Sequence, residues 1–318
     1  MSTINYQNLL ERCHKMIASY IHRTPVLSSQ MLNDISGADL FFKCENFQRM
    51  GAFKMRGAMH AILQLTSAQK QKGVVTHSSG NFAQALSLAA KEVGIKATIV
   101  MPSNAPAVKK EAVKGYGGII VESEPTAIAR EVLADKIVNE TGAAFIHPSN
   151  DMNVIIGQGT AAMELMEEIN DVENIITPVG GGGLIGGTAL AAHYFGKKIN
   201  VYGGEPAAMD DGYRSMQSGK IETNDAAATT IGDGLRTNLG DVNFPIIKEF
   251  VKEIIPVTED EIIAALKLIW ERMKIVVEPS SAVAFAAVLK RKDLFANTKT
   301  GIIISGGNVD FKSIAGYL

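Results

Sequence analysis

From about residue 73 the chain alternates short, continuous apolar runs with longer amphipathic stretches, and this rhythm constrains the fold more than any other feature. GVVTHSS is followed by FAQALSLAAKEVG, with Gly94 as its stop. ATIVMP precedes APAVKKEAVKGYG, IIVE precedes TAIAREVLADKIVNETG, and AAFIHP precedes GQGTAAMELMEEI. NIITPVG leads through a glycine run into LIGGTALAAHYFG, and NVYGGE and GIIISGGN are further strands. TEDEII opens a helix with Thr258 and Glu261 in capping-box positions, and EPSSAVAFAAVLKR is another helix. Strands that are apolar along their whole length have no wet face, so they belong in a parallel sheet covered on both sides. The expected class is α/β with open parallel sheets, and so many units fit two sheets better than one. The polar, turn-like stretch 148–153 is the expected crossing between two lobes. Ligands in such folds collect at the carboxyl ends of the strands.

Bulk properties narrow the partners. A chain of 318 residues suggests about two domains, and a net charge of -2 gives no reason to expect nucleic acid or an anionic membrane. Cys13 and Cys44 form no CxxC, and the six histidines show no metal-ligand spacing. Both thiols read as small buried apolar groups. The N-terminal stretch is an amphipathic helix with charges throughout, unlike a signal peptide, and no segment has the ~18 apolar residues of a membrane span. The simplest reading is a soluble cytoplasmic protein.

PVGGGGLIGG lies directly after a strand and opens a helix. Gly180, Gly181, Gly182 and Gly183 leave several backbone N–H groups unshielded, and the helix adds its positive dipole end, so the run reads as a phosphate cradle. A tight turn is the plainer alternative. Gly181-x-Gly183-x-x-Gly186 also matches a dinucleotide pattern, with Glu205 at the end of the next strand where a ribose-binding acid would sit. A nicotinamide-dependent dehydrogenase is therefore a rival reading. No Gly-Lys-Ser/Thr follows, which excludes a Walker loop.

GAFKMRGA places one lysine, Lys54, between a Gly-Ala-Phe lead and Arg56-Gly57. Alone it reads equally as a helix-surface charge. A phosphate cradle, a candidate reactive lysine and an α/β fold are together the parts of a pyridoxal phosphate enzyme. That cofactor needs an amine for its aldehyde, a cradle for its phosphate and a partner for its ring nitrogen.

Several ordered motifs then carry a resemblance along nearly the whole chain. HRTPVLSS, FFKCENFQRMGAFKMRGA, HSSGNFAQA, GGGGLIGG and SGGNVD are similar to those of the serine racemase and serine/threonine dehydratase family, pyridoxal phosphate enzymes of the tryptophan-synthase-β-like fold (fold type II). The resemblance implies a large cofactor-binding domain of residues 1–70 and 151–318 and a small mobile domain of residues 71–150. It makes Lys54 the Schiff-base lysine and the base on one face of the substrate, and Ser79 the second acid/base on the other. Phe53 would lie beside the cofactor ring, Asn81 would donate to the ring oxygen, and Gly180 to Gly183 with Leu184 would hold the phosphate. Ser305 would face the ring nitrogen, and a hydroxyl there leaves the nitrogen neutral, which suits β-elimination. Gly234 and Glu278 join the cofactor set, and Ser78, Ser79, Gly80 and Asn81 would hold the substrate carboxylate.

The same resemblance makes Glu205, Met209 (through its carbonyl) and Asp211 a site for Mg2+, or Ca2+ or Mn2+, with Asp210 leaving the register open by one. It implies a homodimer, and ATP or AMP as activator at Ser28, Ser29, Gln30, Arg49 and Met50, although Arg49 and Met50 depart from the expected Lys-Thr. Phe82 stands where relatives often carry His. The chain closes soon after SGGNVD, so isoleucine feedback through an appended regulatory domain is not expected. The implied activity is dehydration and deamination of L-serine/L-threonine-type amino acids, with serine racemisation beside it. 3-Hydroxyaspartate dehydratase is the alternative within the family.

Overall fold

The computed structural model describes residues 4–317. Among them ten strands form two sheets: β1 (Val26–Leu27), β2 (Asp39–Cys44), β3 (Val74–His77), β4 (Ala97–Pro102), β5 (Ile119–Ser123), β6 (Ala144–Phe145), β7 (Asn174–Pro178), β8 (Asn200–Pro206), β9 (Val251–Val257) and β10 (Lys299–Ile304). The larger sheet runs β1-β2-β10-β7-β8-β9, parallel except for the β1/β2 pair. The smaller runs β5-β4-β3-β6 and is parallel throughout. All of its strands come from residues 74–145. The wholly buried β7 and nearly buried β10 are the continuous apolar runs that the sequence marks, covered on both faces as such strands require.

The sequence reading misses β1, β2 and β9. β2 carries Lys43 in its middle, which breaks the apolar run, yet Lys43 is fully buried. Its Nζ lies 2.7 Å from both Glu164 and the Thr24 carbonyl. β9 is an edge strand, VKEIIPV, whose charges hide its pattern. The expected helix at GQGTAAMELMEEI starts five residues earlier than read, at Met152, because Asp151 caps it by accepting from the N–H groups of Asn153 and Val154. The crossing therefore ends at Asp151 and links β6 directly to the helix Met152–Glu168.

That helix positions the chemistry. It packs against the helix Lys54–Leu63 where Gly57 and Gly157 meet, and a Cβ on Gly157 would fall 2.5 Å from the Gly57 Cα. On its other side Gly159 meets Gly187 of the helix Gly183–Phe195 in the same way. Close backbone approach without side chains is what glycine permits. A buried ionic cluster fixes the register: Arg56 donates to both carboxylate oxygens of Glu45 and of Glu164 at 2.7–2.8 Å. With Lys43 on Glu164, two cations and two anions close inside the core.

Candidate active site

A cleft of about 1130 Å³ opens at the carboxyl ends of β3, β4, β7 and β10. Phe53, Lys54, Ser78 to Asn81, Gly180 to Leu184, Gly234, Glu278 and Ser305 all line it. Residues from both sheets thus converge on one volume, while Glu205, Met209 and Asp211 lie outside its lining.

Lys54 is the first residue of its helix, directly after a short bridge of Ala52 to Gly306. The Phe53 N–H donates to the Ser305 carbonyl at 2.9 Å, so the lysine segment is stitched to the strand end that carries the hydroxyl. Lys54 Nζ donates to the Pro148 carbonyl at 2.8 Å. It lies over two aromatic rings, Phe53 at 5.0 Å and Phe82 at 5.7 Å. Burial pushes its ammonium down to about 8, against the opposing charge of Glu278. An amine that sheds its proton so near neutrality can act as nucleophile and base. Phe82, itself buried, supplies an apolar wall at this point.

The glycine run bends tightly. Gly182 has φ +79°, in the left-handed region, and a Cβ there would lie 2.5 Å from Asn243 Oδ1. A Cβ on Gly180 would meet Leu235, and one on Gly181 would meet Ser149. Asn243 Nδ2 braces the turn by donating to the carbonyls of Gly181 (2.8 Å) and Ser149 (3.2 Å). The helix Gly183–Phe195 begins here without a side-chain cap, leaving its first N–H groups for an anion.

Ser305 is buried, and its Oγ lies 3.0 Å from the Ser281 Oγ. Ser281 also donates to the Gly306 carbonyl and accepts from the Gly306 N–H, which fixes its position. Across the cleft, Gly80 is the N-cap of the helix Asn81–Glu92 and offers no side-chain bond, so Ser79 does not serve as its cap. Asn81 Nδ2 donates to Glu278 at 2.9 and 3.1 Å, and Asn308 Nδ2 donates to Asn81 Oδ1 at 2.9 Å. One Asn81 hydrogen suffices for Glu278, leaving the second for a ligand oxygen. Burial and the nearby Asp233 push the Glu278 carboxyl up to about 7. The Gly234 N–H donates to Ser280 Oγ at 3.1 Å, holding the IGDGLR loop on the helix that Glu278 caps.

The sequence reading misses His77, His147 and Ser149 in the same lining. His147 Nδ1 accepts from the N–H groups of Ser149 and Asn150, so its Nε2 carries the proton. Burial, His77 and Lys54 push its imidazolium down to about 4, so it is neutral under ordinary conditions. Their signal is position alone, since His77 ends β3 and His147 and Ser149 follow β6 in the βα rhythm.

Glu205 is fully buried, and its oxygens accept from the N–H groups of Gly212 (3.0 Å) and Tyr213 (2.8 Å). Facing a turn inside the protein, it has no access to a ribose, which removes the dinucleotide reading of Gly181-x-Gly183-x-x-Gly186. Asp211, also buried, accepts from Asn224 Nδ2 (2.6 Å) and the Leu239 N–H (2.9 Å). Burial pushes Glu205 well above the usual carboxylate range, with Asp211 adding to it, and pushes Asp211 up to about 6. Asp210 is turned away and paired with Arg214 at 2.7 Å. Among the described residues no group of three or more His, Cys, Asp or Glu is arranged to hold a metal, and no helix is long and apolar enough to cross a membrane.

A half-buried lysine whose ammonium is pushed down to about 8, a bent glycine cradle and a strand-end hydroxyl around one cleft are the parts that a pyridoxal phosphate site on an α/β fold requires. The pyridoxal-phosphate dependent enzyme family model matches residues 17–306, and the chain belongs to that family. It is 49% identical to the serine racemase of Dictyostelium discoideum, covering 100% of this chain and 99% of that one. It is 46% identical to the beta-hydroxyaspartate dehydratase of Paracoccus denitrificans, over 97% and 98% of the two chains. The solved structure of maize serine racemase superposes with a TM-score of 0.94 at 45% identity, covering 97% of this chain and 95% of that one. The fold is that of the fold type II enzymes, as the motifs led one to expect.

Proposed function

We propose that this enzyme eliminates water from L-serine/L-threonine-type β-hydroxy amino acids, releasing ammonia and a 2-oxo acid, and also racemises serine. The observation that carries the reading is the stitching of the Lys54 segment to Ser305 through the Phe53 N–H, which brings a lysine of depressed pKa and a strand-end hydroxyl into the lining of one cleft. Bound pyridoxal phosphate supplies an electron sink that acidifies the substrate Cα–H. Lys54 is the amine that would hold the cofactor through its aldehyde, and its free Nζ would take the substrate α-proton on its own face. Ser79 exchanges a proton on the opposite face. The N–H groups of Ser79 and Asn81, at a helix start, hold the substrate carboxylate, while the Ser78 N–H stays on the Val100 carbonyl at 3.2 Å. Ser305, a neutral hydroxyl and not a carboxylate, would leave the ring nitrogen unprotonated, which would keep the sink mild and favour loss of the β-hydroxyl. Phe82 and Phe53 set apolar rings beside Lys54 Nζ.

Measured kcat/KM for oxo-acid release from serine, threonine and 3-hydroxyaspartate tests the reading. The highest value with serine or threonine supports it, and turnover of none of the three removes it. The second reading, 3-hydroxyaspartate dehydratase, is favoured by Arg130 on the small-sheet wall of the cleft, where a second carboxylate would find a cation. A clear preference for 3-hydroxyaspartate would select it.

Four further ligands or arrangements belong to the proposal. Glu205 and Asp211, two buried carboxylates of which Asp211 adds to the raised proton affinity of Glu205, are supported as a Mg2+, Ca2+ or Mn2+ site completed by the Met209 carbonyl and water. The outward pairing of Asp210 favours Asp211 in that register. Residues 71–150 are read as a small domain that moves over the cleft, with Lys109 on Asp233 and Arg49 on Glu92 as ion pairs across the gap. A homodimer is expected, to be tested by light scattering. ATP or AMP is the least supported ligand, since Arg49 holds Glu92 and the Tyr20 carbonyl and Met50 is buried.

A further inference from the structure

Lys54 Nζ has a single hydrogen-bond acceptor among the described residues, the Pro148 carbonyl at 2.8 Å, and a carbonyl cancels no charge. Nζ also stands over two aromatic faces, with ring centroids at 5.0 Å for Phe53 and 5.7 Å for Phe82. Both lie within the roughly 6 Å at which the negative face of a ring attracts an ammonium, an attraction that grows as water is excluded. The three groups come from separate segments. Phe53 precedes the lysine, Pro148 lies on the crossing after β6, and Phe82 is the second residue of the helix Asn81–Glu92 that follows β3. Phe82 is 2% exposed, so its ring is fixed by packing. The titratable groups that act on Lys54 are Glu278, engaged with Asn81 at 2.9 and 3.1 Å, and His147 beside Pro148. Arg56, the next charge on the lysine's own helix, is turned into the core onto Glu45 and Glu164. Core packing accounts for an apolar side chain at position 82, but leucine would serve that purpose equally. Only an aromatic ring offers a face to the amine.

We propose that Phe82 is a positioning residue for proton transfer at Lys54: with the Phe53 face and the Pro148 carbonyl it forms a neutral box that holds the ammonium whenever Nζ is free. Its bearing on catalysis rests on the reading of Lys54 as the base. When the substrate Cα–H bond breaks, its electron pair stays on carbon and the proton becomes an Nζ–H. The box receives that charge. Burial pushes the ammonium down to about 8, and the two ring faces oppose burial, so the amine keeps enough basicity to take the proton. A carboxylate at position 82 would hold the proton too firmly to return it, and a cation would repel it. An aromatic face lies between these limits.

The test is competitive labelling of apoenzyme with a trace of an amine-acetylating reagent from pH 6 to pH 10, read at Lys54 by peptide mass. It gives the titration midpoint of Lys54 without cofactor or turnover. In Phe82→Leu, which stays apolar and loses the face, the midpoint should fall by about half a pH unit to one unit, the size of one shielded cation–π contact. Phe82→Tyr keeps the face and should keep the parent's midpoint. In the loaded enzyme, the acid limb of the kcat/KM profile for oxo-acid release should move to lower pH in Phe82→Leu and stay in place in Phe82→Tyr. Should Phe82→Leu fail to fold, Phe82→Met reads the same midpoint. An unchanged midpoint in Phe82→Leu, or an equal fall in Phe82→Tyr, would overturn the inference and leave Phe82 as core packing. A parent that shows these shifts but takes up no pyridoxal phosphate would instead strike the cofactor reading, so the two failures are distinguishable.

Discussion

Asn81 Nδ2 lies 2.9 Å from Glu278 Oε1, joining the first residue of the helix Asn81–Glu92 to the N-cap of the helix Pro279–Lys290 across the cleft. One helix follows the small sheet's β3 and the other packs on the large sheet, so this bond couples the two walls of the site. It also sets a pH dependence. The Glu278 carboxyl is pushed up to about 7 from an ordinary 4.5, so the folded protein binds a proton that the unfolded chain has released. A raised carboxylate contributes stability below the unfolded value that is lost as pH rises through the folded one. Cofactor-free protein should therefore lose up to about 3 kcal/mol between pH 5 and pH 8. Denaturant titrations should show that slope in the parent and a flatter one in Glu278→Gln. An equal slope in both would place the titration elsewhere.

Lys54→Ala should abolish turnover and the visible absorbance that borohydride bleaches, and in the parent the reduced adduct should map to Lys54. The Lys54 ammonium is pushed down to about 8, so the neutral amine grows as pH rises toward that value. The rate of cofactor uptake by apoenzyme should climb about tenfold per pH unit below 8 and level off above it. A flat profile from pH 6 to 9 would contradict an amine of this kind.

Ser79→Ala should cut racemisation and D-serine elimination by about 100-fold or more, in the range of a lost acid/base group, while L-serine elimination falls much less. Parallel assays with the two enantiomers decide it. Equal losses would mean that Ser79 shapes the loop and does not act on one face.

Arg56→Met should destabilise the fold by about 3–5 kcal/mol, because Glu45 and Glu164 would be left as buried charges with one partner between them, Lys43. Unfolding by guanidinium gives the value. Arg56→Lys should not rescue it, since only the guanidinium fork reaches both carboxylates at once. A loss under about 1 kcal/mol would show that the cluster is dispensable.

Removing divalent ions with a chelator should lower the melting temperature, and Mg2+ or Ca2+ should restore it. Glu205→Gln and Asp211→Asn should each abolish the response to metal, whereas Asp210→Asn, on the outward pair with Arg214, should keep it. A melting temperature indifferent to chelator would remove the cation from these carboxylates.

By itself the sequence determined the βα rhythm, the parallel sheets and the ordered motifs, because each is local: a buried strand shows as an apolar run, a capping box as Thr258 and Glu261, a cradle as consecutive glycines. It therefore delivered Lys54, the glycine run and Ser305, although nothing local says that they share a cleft. Tertiary structure alone decided the rest. β2 escaped notice because Lys43 becomes a core residue only when Glu164, far along the chain, arrives to pair with it. Phe82 reads as a missing histidine in sequence and as a wall over the Lys54 amine in space. Asp210 and Asp211 are interchangeable as letters, and only the fold turns one outward to Arg214 and the other inward beside Glu205. Ser149 carries no motif at all, and only packing, a property of three dimensions, sets its hydroxyl against Gly181.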